Sequence, residues 1–183
     1  MLIAPQAIKG VLNLGCGNKH RAGAVNVDVT ATTSPDVVHD LNVIPWPFPD
    51  NQFTEIHAYD VIERLADIPA VMTEIHRIAR PCGKVLITVP HFSCANAFTD
   101  PTHRHYFGLF SFDYFIEGHE LSFYSAARFR MLSRRLIFTP SLVNKAVWRL
   151  ANRFPPRYEQ RWAWIFPAWY LSFDLQVVKA SAA

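Results

Sequence analysis

The feature that most constrains this chain is a four-residue apolar strand signal, Val11-Leu12-Asn13-Leu14, running without a spacer into Gly15-Cys16-Gly17. Two glycines one residue apart after a buried strand permit a tight turn and bring bare backbone close to anything held at the strand's carboxyl end. The longer dinucleotide fingerprint is not met. His20 stands where a third glycine belongs, and Asp28 follows Gly17 by 11 residues, where an acidic ribose ligand is expected about 20 residues on. Alone, the loop fits a plain structural turn as well as a ligand cradle. The ends of the next two strands tip the balance, because Asp28 closes Ala24–Val29 and Asp40 follows Asp36–His39. N-capping or turn formation would explain either carboxylate singly, but not the ordered set.

Further along, Thr54–Val61 alternates as a fourth strand and Lys84–Val89 is a β-branched run stopped by Pro90. Between them Ile68, Val71, Met72, Ile75, Ile78 and Ala79 form the stripe of an amphipathic helix, with Asp67 as N-cap and Pro69 in the first turn. Alternating strands and helices predict an α/β fold built on a mostly parallel sheet, with ligands at the carboxyl ends of the strands. Two late strands, near Phe129–Phe138 and Leu171–Lys179, would complete the sheet. Between them Leu142, Val143, Ala146, Val147, Leu150, Ala151 and Phe154 lie at helical spacing.

At 183 residues the chain suits one domain. Residues 1–90 are expected as the core, 91–125 and 139–170 as a small aromatic cap, and 171–183 as last strand and tail. Half the residues are hydrophobic and 18% are charged, which excludes global disorder. A net charge of +3 is too small to argue for nucleic acid. Three cysteines without a C-x-x-C pair fit neither a disulfide framework nor a zinc knuckle. The first ten residues lack the charged and apolar regions of a secretory signal, so a cytoplasmic location is expected.

LNLGCG, Asp28, Asp40-Leu41, the loop Pro47–Phe53 and HRIARPCGKVLITVPH together resemble the class I S-adenosylmethionine (SAM)-dependent methyltransferases, more narrowly the small bacterial branch of the type-11 methyltransferase domain. The resemblance is dense over residues 11–107. It implies a Rossmann-like sheet with SAM as cofactor. Gly15 and Gly17, with Cys16 between them, would lie against its methionine part. Asp28 would bind its ribose, and Asp40 and Leu41 would frame its adenine. Tyr59, Asp60 and Val61 would form the floor towards the acceptor. Two departures stand out: seven residues, Asn18–Ala24, replace the usual first helix, and Arg64 occupies the last position but one of Val61-Ile62-Glu63-Arg64-Leu65, where relatives often carry histidine.

Methyl transfer to a hydroxyl needs a base, and the candidates follow the fifth strand: His103 first, His91 second, with Asp100 orienting or substituting for them. The plain alternative is that Asp100-Pro101-Thr102 starts a helix and the histidines are structural. His91, Asp100, His103 and His105 also raise a metal site, which lacks a second well-spaced carboxylate; none is expected. The tail resembles methyltransferases of bacterial surface-polysaccharide pathways, whose acceptors include lipid-linked sugars. Residues 141–170 interleave aromatics with Lys145, Arg149, Arg153, Arg157 and Arg161. That pattern leaves open an ordinary packed helix, a lid, or a peripheral contact with the inner membrane surface. The expected reaction is methyl transfer to an oxygen of a saccharide or other small molecule. An N-methyltransferase and a non-catalytic SAM-binding scaffold are the alternatives.

Overall fold

The computed structural model describes residues 10–179. Seven strands form one sheet: β1 (Val11–Leu14), β2 (Val25–Asp28), β3 (Val37–Val38), β4 (Phe53–Tyr59), β5 (Ala79–Pro90), β6 (Arg128–Ile137) and β7 (Tyr170–Val178). Their order across the sheet is β3-β2-β1-β4-β5-β7-β6. β1 to β5 pair in parallel, and β7 inserts antiparallel between β5 and β6. The order turns back at β1, between β2 and β4, and this switch point is where ligands gather in open α/β sheets.

α1 (Ile68–Ile78) forms as its stripe dictates. The Asp67 carboxylate accepts the Ala70 amide at 2.9 Å, Pro69 occupies the first turn, and Val71, Met72, Ile75 and Ile78 are buried against the sheet. Burying each such side chain stabilises the fold by about 1.5–3 kcal/mol. Pro81-Cys82-Gly83 lies inside β5 as an irregularity: Phe53 pairs with Ala79 but Glu55 with Lys84, and Cys82 takes a left-handed φ of 61°. The remaining helices are α2 (Asn96–Thr99), α3 (Leu142–Arg153) and α4 (Pro155–Arg161).

Residues aligned across neighbouring strands share a face, and the two faces of this sheet differ in kind. One carries Leu12, Leu14, Ile56, Ala58, Val85, Ile87, Leu171 and Phe173, which join α1 and the aromatics of the β5–β6 link in one core; Phe112 packs on Phe173 at 4.7 Å. The other carries Asn13, Asn26, His57, Tyr59, Thr88, Ser172 and Asp174. On that polar face the β1–β2 link has no helix and the β2–β3 link has only the 3-10 turn Ala31–Thr33. Side-chain amides hold the short link instead. Asn13 Nδ2 donates to the Lys19 carbonyl at 3.1 Å and to Asn26 Oδ1 at 2.9 Å, and Asn26 Oδ1 also accepts the Arg21 amide at 2.8 Å.

Candidate active site

The β1 turn is built as its glycines require. Gly15 and Gly17 have φ of 58° and 46°, and a Cβ on Gly15 would stand 2.4 Å from Val61 Cγ2. A Cβ on Gly17 would meet nothing within 4 Å, so this side of the turn faces open space. That space is a cavity of about 390 Å³ bordered by both glycines, Asp28, Asp40, Leu41 and Val61. The Asp28 carboxylate accepts the Gly17 amide at 2.8 Å and the Thr30 amide at 3.0 Å, which locks the turn to the end of β2. Asn42 donates to Asp40 from its amide and its side chain, each at 2.9 Å, and these bonds hold the Asp40 carboxyl below its usual range. Bare backbone, a strand-end carboxylate and apolar Leu41 and Val61 form a chemically suitable bed for SAM, and the volume lies in the range of small-ligand sites.

Cys16 contributes differently. Its side chain is buried, its amide bonds the Val27 carbonyl at 2.9 Å, and burial with the nearby Asp28 charge pushes its thiol up, so it remains protonated. Tyr59 departs from expectation. The two-residue alternation of β4 puts it on the polar face, with its hydroxyl 2.7 Å from His57 Nδ1, and it does not border the cavity.

A second cavity, of about 490 Å³, adjoins the first, and Asp60 and Arg64 border both. Asp60 holds a left-handed φ of 57°, a conformation costing a non-glycine residue about 1–3 kcal/mol, which makes it a functional-site candidate. Its Oδ1 is buried without a hydrogen-bond partner, and burial raises its carboxyl. Arg64 donates to the Asp60 carbonyl at 3.1 Å and to Asp100 Oδ2 at 2.7 Å, tying the end of β4 to the β5–β6 link. Asp100 also accepts the Thr102 amide at 2.9 Å and its hydroxyl at 2.7 Å, and these bonds with Arg64 hold its carboxyl far below the usual range.

Deeper in this cavity His103 and Glu63 face each other. His103 Nδ1 lies 3.1 Å from the Ala97 carbonyl, while Nε2 is buried without a hydrogen bond, 3.6 Å from Glu63 Oε1. A carbonyl only accepts, so the neutral ring carries its proton on Nδ1 and leaves a lone pair on Nε2. Glu63 is 1% exposed, neither of its oxygens has a partner, and desolvation pushes its carboxyl up to about 7. Asn96, Thr99 and Tyr170 complete the walls.

The structure therefore brings His103 and Asp100 together and leaves His91 out. His91 is fully buried, with Nδ1 at 2.7 Å from Ser93 Oγ and Nε2 at 3.1 Å from Glu159 Oε1; it anchors α4 and does not border the cavity. Glu63 carries no functional mark in the sequence, although it lies within the motif that follows β4, because burial without hydrogen-bond partners is invisible in a sequence. Among the described residues no cluster of three or more His, Cys, Asp or Glu could hold a metal.

A family model described as methyltransferase domain matches residues 5–136. Among solved structures, the chain is similar to a SAM-dependent methyltransferase from Archaeoglobus fulgidus, with a TM-score of 0.63, 14% identity, and coverage of 92% of this chain and 87% of that one. A SAM-dependent methyltransferase from Mesorhizobium loti aligns with a TM-score of 0.56, 13% identity, and coverage of 94% and 93%. A phosphoethanolamine N-methyltransferase from Haemonchus contortus, in complex with SAM, aligns with a TM-score of 0.56 and 16% identity over 97% of this chain and 50% of that one. No curated protein sequence matches the chain. With most of its length matched by that family, and with the glycine turn and strand order that go with it, the chain belongs to the methyltransferase-domain family and has the fold of the class I SAM-dependent enzymes.

Proposed function

We propose that this SAM-dependent methyltransferase delivers its methyl group to a hydroxyl oxygen of a polar small molecule, a saccharide being the class that its second cavity suits best. One observation carries the reading: the unbonded Nε2 of His103, in a cavity that shares Asp60 and Arg64 with the glycine-turn cavity. SAM supplies an electrophilic methyl on a sulfonium. Gly15, Gly17, Asp28, Asp40 and Leu41 hold the cofactor, with Asp60 at the border between donor and acceptor. His103 takes the hydroxyl proton on Nε2 while the Ala97 carbonyl fixes its ring. Glu63 and Asp100 stand 3.6 and 3.9 Å from that nitrogen, within the same cavity. Asn96, Thr99 and the Tyr170 ring offer the hydrogen bonds and flat surface that suit a sugar. The setting this reading implies is cytoplasmic, at a membrane surface, with a lipid-carried acceptor.

A second reading rests on charge. Asp60, Glu63 and Asp100 outnumber Arg64 around the cavity, which would favour an amine acceptor, and a neutral amine needs no base. Two variants separate the readings. Asp28→Ala should weaken S-adenosylhomocysteine binding at least tenfold by calorimetry, since charge-assisted hydrogen bonds contribute about 1.5–3 kcal/mol. Unchanged affinity would refute the cofactor assignment. His103→Ala should leave that affinity intact and slow methylation of a hydroxyl acceptor about 10²–10⁴-fold. Full activity of that variant on an amine would favour the second reading.

A further inference from the structure

The helices between β6 and β7 hold an amphipathic surface turned the wrong way for a helix that packs. Only Ala151 of α3 is buried, while Leu142 is 91%, Leu150 65% and Val143 62% exposed. Trp164 and Ile165, beyond α4, are 69% and 62% exposed. The helical stripe read from the sequence is thus real, but most of it faces outward. Lys145, Arg149 and Arg153 recur every four residues along the flank of that stripe, and Arg157 and Arg161 continue the charge on α4. The single acid between residues 141 and 170, Glu159, is turned inward to the Leu109 amide at 2.6 Å and to His91. The outer surface is therefore apolar and cationic, with no exposed carboxylate.

We propose that this surface docks on an anionic lipid bilayer, with α3 lying in the interfacial plane. Its apolar stripe would enter the headgroup boundary and its flanking cations would meet lipid phosphates, the arrangement of interfacial amphipathic helices. Charge excludes a second copy, and the exposed aliphatic side chains decide between the anionic occupants. A second copy would bring five cations against five, which is repulsive. Single-stranded nucleic acid would satisfy the cations but leave aliphatic Leu142, Val143, Leu150 and Ile165 without a base to stack on. An apolar groove of about 380 Å³ between α3 and α4, walled by Leu150, Phe154, Tyr158 and Trp162, offers room for part of an acyl chain. Trp169 leads directly into Tyr170, which lines the acceptor cavity. The proposal deepens the functional reading by naming where the enzyme meets its acceptor, yet vesicle binding requires neither cofactor nor acceptor.

The test is sedimentation of the full chain with vesicles of phosphatidylcholine, alone or with about a third phosphatidylglycerol. Tryptophan emission can be followed in parallel, since Trp46 is buried and the other four tryptophans lie in or beside the cap. Binding to the anionic vesicles alone, weakened by salt and accompanied by a blue shift, is expected. The double variant Leu142→Asp/Leu150→Asp, at two exposed positions, should bind at least tenfold more weakly and keep the wild-type affinity for S-adenosylhomocysteine. The proposal is overturned by equal binding of wild type and double variant, by binding to neither vesicle, by self-association through the same residues without lipid, or by retention on a single-stranded oligonucleotide instead. Absence of S-adenosylhomocysteine binding by the wild type would count against the functional reading and leave the vesicle result standing.

Discussion

A carboxyl group with almost no solvent and no hydrogen bond, such as that of Glu63, has a price that pH exposes. Folded, it titrates at about 7; its ordinary value is 4.5. Between those values the folded chain keeps a proton that the unfolded chain has lost, so stability falls as pH rises from 4.5 to 7. The contribution is fully present below 4.5 and lost above 7, and its upper bound is about 3 kcal/mol. Chemical denaturation at pH 5.5 and 8 should therefore show a wild-type stability that drops with pH by more than that of Glu63→Gln. Parallel pH dependences in the two proteins would show that Glu63 ionises normally. At this scale the sequence was partly readable. Gly15, Gly17, Asp28 and Asp40 are marked by chemistry tied to strand ends. His91 and His103 are alike as letters, and only the Glu159 carboxylate against one and the Ala97 carbonyl against the other separate an anchor from a candidate base.

Among the elements, the link between β3 and β4 spans residues 39–52 without a helix, and α1 holds it in place. Glu74, buried on α1, accepts the Trp46 amide at 2.6 Å and a two-pronged contact from Arg77 at 2.6 and 2.9 Å. Arg77 in turn donates to the Phe48 carbonyl at 2.8 Å and to Asp50 at 2.6 Å. These bonds push the guanidinium well above its ordinary range and hold the Glu74 carboxyl down despite burial. Arg77→Ala should cost about 3 kcal/mol in thermal or denaturant unfolding, because it strands a buried charge; a loss below 1 kcal/mol would mean that the loop holds itself. Strand and helix positions were legible because periodicity reports burial: α1 ends within a residue of its stripe, and β1 spans the residues read from the sequence. The outward face of α3 was not legible, since an apolar stripe looks the same whether it meets a sheet or a bilayer.

Across the whole molecule, the hydrophobic core lies on one side of the sheet and side-chain amides secure the other. β1 to β3 and their links rest on hydrogen bonds among Asn13, Asn26 and Asp36 where a packed helix would add apolar burial, so this part should open most readily. S-adenosylhomocysteine at 100 times its dissociation constant should stabilise the protein by about 2.7 kcal/mol. Hydrogen exchange should show the protection concentrated in residues 11–42. Uniform protection would place the weak point elsewhere. The seven-residue Asn18–Ala24 segment has a kinetic consequence as well. In many enzymes a mobile cover sets the pace of release, but this link has no helix to swing aside. A cofactor held at the glycine turn, as proposed, should leave by diffusion alone once spent, and the clock of the catalytic cycle should move to the other cavity, where the acceptor meets His103 and Glu63.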